Sequence, residues 1–317
     1  MKLKFLTWLG AFLLTALGVS NTWANNTVTC TVGNVGQYNT ATYSPYIPYS
    51  GNAGAQVASG ALTFTVNCSR DAGGNTRSVT YTATTDNGLN ESGTQNRAMN
   101  GASTLNYDFY KGNGNPCSPE WQGPIAANVF TNTFNMDAST NSATFTHTFY
   151  GCTLAASQTS VIAGDYVDTV TITLSGAGTA NQLTFVPVNA TSSVKITVTK
   201  EFALTTPPGN IDFGTYIAFT PTAKTQNTSF VAKGTNLGTY SMALDSSNGV
   251  LAGLNYTLGL SSMSTAGTVG AATLAATGTG SGQTYYIHGN MASGQAGACA
   301  STACTGVSNT HTLTVTY

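Results

Sequence analysis

The stretch His311-Thr-Leu-Thr-Val-Thr-Tyr317 alternates strictly, with Leu313, Val315 and Tyr317 on one face and threonines on the other. That is the period of a β-strand with one buried face. The sequence ends there. A near copy, Asp168-Thr-Val-Thr-Ile-Thr-Leu174, lies earlier with Val170, Ile172 and Leu174 inward, and many more residues follow it. Two modules of one kind are therefore expected, the first closing itself with later chain and the second running out of chain one strand early.

Only 7% of residues are charged, while Gly (35), Tyr (15), Thr, Ser and Asn are abundant. Low charge with many β-branched and aromatic residues fits an all-β fold far better than a disordered chain. Near the N-terminus, Lys2 and Lys4, an apolar run over residues 5–19 and small residues Thr22 and Ala24 around Trp23 predict a secretory signal over 1–24. No other stretch approaches the roughly 20 apolar residues of a membrane span, so the mature chain is expected to be soluble and exported. Taking the two signal lysines from 10 basic residues leaves 8 against 11 acidic, with no basic cluster to hold nucleic acid.

Six cysteines in an exported chain imply three disulfides. We pair Cys30 with Cys68, Cys117 with Cys152 and Cys299 with Cys304, although sequence alone admits other connectivities. A loop of the 30–68 size is worth about 4 kcal/mol in the chain-entropy model. As zinc ligands Cys299 and Cys304 lack a second ligand pair, and no metal or cofactor is expected.

The length suits two sandwich-sized domains, and a weak repeat supports them. Val79-Thr-Tyr-Thr-Ala-Thr-Thr-Asp-Asn-Gly88 is echoed by Tyr240-Ser-Met-Ala-Leu-Asp-Ser-Ser-Asn-Gly249, and Leu105-Asn-Tyr107 by Leu254-Asn-Tyr256, in the same order as the Thr-rich strands. The first domain, 25–190, is read as strands near 28–32, 61–68, 78–84, 104–111, 143–150 and 166–174. A strand at 182–188 closes it, with Pro187 favouring an edge or end position. The second, 191–317, opens at Val194-Lys-Ile-Thr-Val-Thr199 and continues near 211–219, 228–233, 240–245, 256–260, 284–289 and the terminal strand. Residues 261–282, rich in Gly, Ala, Thr and Ser, predict a long surface loop with a short edge strand around 271–276. No helical period of useful length occurs outside the signal.

Arg97-Ala-Met99, Leu105-Asn-Tyr-Asp-Phe-Tyr110, Trp121-Gln-Gly123 and Gly164-Asp-Tyr-Val-Asp-Thr-Val170 resemble, in order, signature blocks of the spore coat protein U domain family. Ile211-Asp-Phe-Gly-Thr-Tyr216, Ile287-His-Gly-Asn-Met-Ala-Ser-Gly-Gln295 and the terminal strand look like its other blocks, so the match spans most of the mature chain in two copies. The family is similar to subunits of archaic chaperone-usher pili, immunoglobulin-like β-sandwiches lacking one strand. The resemblance therefore implies two such sandwiches, the second a donor-strand acceptor whose groove Leu313, Val315 and Tyr317 would help to line. It further implies a periplasmic chaperone filling that groove, an outer-membrane usher, and a next pilus subunit whose N-terminal strand replaces the chaperone by β-strand addition. A shaft subunit would carry a long donor segment before its first cysteine. Here residues 25–29 are all that is expected to remain ahead of Cys30, which points to an acceptor that ends a fibre: a two-domain tip adhesin, displayed at the cell surface and acting in biofilm formation. No equivalent of the Cys30 and Cys68 pair is evident in the second half, which leaves its fine topology open.

A tip needs a contact surface, for an abiotic or host surface, on the first domain. The first candidate is 42–50, with Tyr43, Tyr46, Ile47, Pro48 and Tyr49, rigid rings on a loop stiffened by proline; the alternative is an irregular strand whose rings fill the core. The second is Trp121 and Ile125 beside Cys117, with Trp121 in the core as the alternative. The third is Val161 and Ile162 after Cys152, read as exposed. Enzymatic readings find little. His147, His288 and His311 carry no nucleophile motif or metal spacing, and Asp165 and Asp168, three apart in a strand, face opposite ways and read as turn and surface residues. The sequons Asn90-Glu-Ser92 and Asn255-Tyr-Thr257 are taken as chance matches. A coat or matrix protein and a carbohydrate-binding module are the alternative functions.

Overall fold

A computed structural model describes residues 27–43, 58–71, 76–93, 95–111, 129–137, 139–153, 158, 160–178, 182–185, 189–265, 270–298 and 307–317. No helix occurs among them. The chain is all-β, in two modules with separate apolar cores.

The first module holds β1 (Thr27–Gly33), β2 (Tyr38–Tyr43), β3 (Leu62–Arg70), β4 (Arg77–Thr85), β5 (Asn96–Asn100), β6 (Ser103–Tyr110), β7 (Phe130–Met136), β8 (Ser142–Thr153), β9 (Gly164–Gly178), β10 (Gln182–Phe185) and β11 (Asn189–Val198). Alternation drives them inward. β1 buries Val28, Cys30 and Val32 and leaves its threonines half-buried, and β9 buries every second residue from Tyr166 to Leu174. The pairings run β10-β1-β3-β8-β6-β5-β9-β11-β2, with β4 on the other edge of β9 and β7 beyond β4. β8 serves two neighbours in turn, β3 along 142–149 and β6 along 150–153. Cys30 and Cys68, opposite each other on β1 and β3, are joined by a disulfide. Cys152 is disulfide-bonded; Cys117, Cys299 and Cys304 lie outside the described residues.

The second module holds β12 (Phe202–Thr206), β13 (Lys224–Gly234), β14 (Thr239–Leu244), β15 (Asn248–Leu251), β16 (Leu254–Ser261), β17 (Thr273–Thr277), β18 (Gly282–Met291) and β19 (Leu313–Thr316). Two sheets, β12-β13-β18-β16-β15 and β17-β14-β19, pack Phe230, Leu258 and Ile287 of one against Tyr240, Met242 and Leu244 of the other.

Two sequence expectations need correction. The strand expected to open the second domain at Val194 is β11, and it belongs to the first: it pairs with β9 over ten residues and with β2. Val194, Ile196 and Val198 are fully buried in the first core, so the modules divide at 199–201 rather than near 190. The strand expected over 211–219 is absent; the segment joins no sheet, although Ile211 and Phe213 pack against the second core. The short edge strand expected around 271–276 is β17.

The two modules are copies in topology. The order β1-β3-β8-β6-β5 recurs as β12-β13-β18-β16-β15, and β7-β4-β9 recurs as β17-β14-β19. Register fixes the correspondence by residue. Phe64 faces His147 as Phe230 faces Tyr285, and Tyr107 faces Thr153 as Tyr256 faces Met291. Asp86 donates its N–H to Thr171 O at 3.0 Å, as Asp245 does to Thr312 O at 3.0 Å, which equates Ile172 with Leu313. Side chains agree: Tyr81 OH meets His147 Nε2 at 2.6 Å, and at the equivalent places Tyr240 OH meets Tyr285 OH at 2.8 Å. The Cys30 and Cys68 positions become Phe202 and Gly234, so that tie is absent from the second copy.

One close approach is shared. The Tyr38 ring lies over Gly151, where an added Cβ would overlap it, and a Cβ on the equivalent Gly289 would stand 2.7 Å from the Phe213 ring. Tyr38 is held in a paired strand, whereas Phe213 is half-buried on an unpaired segment and can swing aside. Gly151→Ala is therefore expected to destabilise the protein by about 1–3 kcal/mol, and Gly289→Ala by clearly less, in urea-unfolding measurements.

Candidate functional site

The difference between the copies lies beside their Thr-rich strands. In the first, β9 is paired on both edges: β4 on one side, and on the other β11, which lies between β9 and β2. In the second, β19 has β14 on one edge, and among the described residues no strand pairs with the other. A groove with a volume of ≈ 620 Å³ runs there. Ile211 and Phe213, the latter at the position of Tyr38, line one wall; Val307, Asn309, His311 and Leu313 line the other; Leu244, Leu258 and Ile287 form part of its floor.

Exposure follows the missing neighbour. Tyr166 is 0% exposed and its counterpart Val307 47%; Asp168 is 5% exposed while its counterpart Asn309 is exposed; Val170 is buried and its counterpart His311 half-buried. Residues 307–312 belong to no strand, whereas the same stretch of the first module is strand along its length.

A tyrosine ties this strand down in both copies. Tyr107 OH donates to buried Asp168 Oδ2 at 2.7 Å, and Leu89 N–H and Asn90 Nδ2 donate to Asp168 Oδ1. Asp168 is therefore a buried structural acceptor, correcting its reading as a turn or surface residue. Burial pushes its carboxyl above the usual range, and the bond from Tyr107 opposes the rise. In the second copy Asn309 Nδ2 donates to Val250 O at 2.8 Å and to Tyr256 OH at 3.0 Å. Because that amide can only donate, the Tyr256 proton points to His311 Nε2 at 2.7 Å, and His311 Nδ1–H reaches Asp245 Oδ1 at 2.9 Å. His311 beside Asp245 holds that carboxyl below its ordinary value. Both ring nitrogens are thus engaged, and the imidazole is fixed against the groove.

Of the three residues expected to line the groove, Leu313 does so. Val315 packs against the core further along, and Tyr317 stacks on Phe202 with centroids 5.8 Å apart. Val307, Asn309, His311, Ile211 and Phe213 were missed as groove residues. The odd-numbered alternation continues back through 311, 309 and 307, a signal hidden because two of those residues are polar. Among the surface candidates, Val161 is corrected: it is 0% exposed and part of the first core. Ile162 is half-buried and bridges to Asn236 of the second module. Tyr43 ends β2; Tyr46, Ile47, Pro48, Tyr49, Trp121 and Ile125 lie outside the described residues. The histidines have structural partners: His147 meets Tyr81, and His288 Nε2 lies 2.9 Å from Met263 O. Among the described residues no three His, Cys, Asp or Glu side chains converge.

The Spore Coat Protein U domain model matches residues 14–173, half of the chain. The chain belongs to the spore coat protein U domain family. The match ends within β9 and does not reach the second module, whose likeness to the first lies in its topology. No curated protein matches the chain. Among solved structures it is similar to a chaperone–tip adhesion subunit pre-assembly complex of archaic chaperone-usher Csu pili of Acinetobacter baumannii. That match has 13% identity and a TM-score of 0.42, covering 91% of this chain and 100% of the other. A tip adhesin from Pseudomonas aeruginosa matches at 8% identity and a TM-score of 0.40, covering 90% and 93%. A chaperone–tip adhesin complex of CFA/I fimbriae matches at 11% and 0.31, covering 92% and 95%.

The tyrosine tie should matter differently in the two modules of this spore coat U domain protein. Tyr107→Phe removes the tyrosine donor from Oδ2 of the buried Asp168 carboxylate, while Leu89 and Asn90 still hold Oδ1, and should cost about 1–3 kcal/mol. Tyr256→Phe, whose partner Asn309 can turn to water, should cost under about 1 kcal/mol. Urea unfolding of both variants measures the difference.

Proposed function

We propose that this protein is the tip adhesin of a chaperone-usher pilus, a non-enzymatic subunit whose second module anchors it to the fibre while its first meets the surface. The observation that carries this reading is internal: β11 occupies in the first module the place that is an open groove in the second. Apolar walls beside an unpaired strand edge are costly in water and are satisfied together by an added strand. About four apolar anchors at 1.5–3 kcal/mol each supply roughly 6–12 kcal/mol before ordering costs. The occupant is the N-terminal strand of the next subunit, preceded in the periplasm by a chaperone and delivered at the outer-membrane usher. The chain's own β1 is held in the first module between β10 and β3 by pairing and a disulfide, so it is engaged at home. This suits an acceptor at the end of a fibre. The tyrosine-rich segment with Tyr46, Ile47 and Tyr49 is the proposed contact for abiotic or host surfaces, and biofilm formation its consequence.

Gold-labelled antibody to the first module is expected to mark fibre ends only. Label along the shaft contradicts the tip position, and label on a continuous cell-surface layer without fibres supports a coat protein instead. Replacing Tyr46, Ile47 and Tyr49 by serine should lower surface attachment at unchanged fibre number; unchanged attachment removes that loop from the contact.

A further inference from the structure

We propose that the groove of the second module selects its strand by size, admitting only a small residue beside His311 and a bulky one beside Val307. This rests on the reading of the groove as a strand acceptor. β11 serves as the template, because the correspondence between modules states which second-module residue would face each of its side chains.

The inward residues of β11 are Ala190, Ser192, Val194 and Ile196, opposite Ile172, Val170, Asp168 and Tyr166 of β9. The second module has Leu313, His311, Asn309 and Val307 at those four places. Consider the Ser192 position. In the first module Ser192 is 0% exposed, packed opposite Val170, and its hydroxyl donates to Gly36 O at 2.7 Å. The second module enlarges both flanks. His311 replaces Val170, and Ile211 replaces Gly36, as follows from the equivalence of Tyr38 with Phe213. A space that holds serine between valine and glycine is narrower between histidine and isoleucine. His311 cannot rotate away without giving up Tyr256 and Asp245. Glycine, alanine or serine fits there.

Two positions on, the opposite holds. At the Val194 position the neighbours are conserved in size, Phe213 for Tyr38 and Asn309 for Asp168. At the Ile196 position Val307 replaces the fully buried Tyr166, which removes a ring from the wall. The partner strand therefore runs antiparallel to the 307–314 edge and, reading along it from Leu313 toward Val307, presents small, small, medium and large inward residues. An acceptor of this kind discriminates among strands that are all equally alternating, because one overfilled position strains the whole register.

The test uses fluorescent peptides with the sequence of residues 189–198 and the purified full-length chain. The parent peptide is expected to bind. A Ser192→Phe peptide should bind at least tenfold more weakly, and an Ile196→Phe peptide within about threefold of the parent. The protein variant His311→Ala should recover much of the loss for the Ser192→Phe peptide; should that variant fail to fold, the peptide pair on the unmodified protein still decides. Equal binding of the parent and Ser192→Phe peptides overturns the size selection and leaves the acceptor reading standing. Binding of no peptide overturns both.

Discussion

A β-strand with one apolar face is fully enclosed when a core lies beneath it and hydrogen-bonding neighbours flank both edges, and an open edge leaves backbone groups ready to pair with an added strand. In the first module β9 has all three, since β4 and β11 flank it and its inward residues are buried from Tyr166 to Leu174. In the second the core is present and, among the described residues, one neighbour. The consequences follow from the remaining edge: 307–312 joins no strand, Ile211 and Phe213 line a wall without joining a strand, and Val307 keeps 47% of its surface exposed. Among the described residues β10, β11 and β2 have no strand counterpart in the second module, and the other strands are paired in the same order in both.

The tyrosine ties explain how the second module holds its shape while one neighbour is missing. The Tyr256 hydroxyl accepts a hydrogen bond from Asn309 Nδ2 and donates one to His311, which is held in turn by Asp245. This chain pins the open stretch from the inner side, where Tyr107, Leu89 and Asn90 together hold buried Asp168 in the closed copy. Fixing the wall in advance lowers the ordering cost of an incoming strand. It also makes the His311 side of the groove unyielding, which is the basis of the proposed size selection.

Faces were legible in the sequence and registers were not. Val170, Ile172 and Leu174 were read as inward, and they are buried. The matched text, however, set Asp168 against His311, whereas the hydrogen bonds equate Asp168 with Asn309. A two-residue slip preserves every face of a strand, so alternation cannot detect it. The same limit misplaced β11: Val194, Ile196 and Val198 announce a half-buried strand, but nothing in the pattern says which of two cores receives it. Leu105-Asn-Tyr107 and Leu254-Asn-Tyr256 were matched in true register because their chemistry, a tyrosine reaching across to the last strand, is not periodic. The inward polar residues Asp168, Asn309 and His311 interrupt an apolar alternation and so read as its boundary, although they carry the tie.

The central claim is that the edge of 307–314 facing away from β14 is open in the free chain and closed when a strand is added. Residue-resolved hydrogen exchange of the full-length protein tests this directly. Amides of 307–314 should exchange fast in the free chain, in contrast to protected amides at 166–173, and should gain comparable protection in the assembled fibre. Equal protection of the two stretches in the free chain, or fast exchange of 307–314 in the fibre, would contradict it.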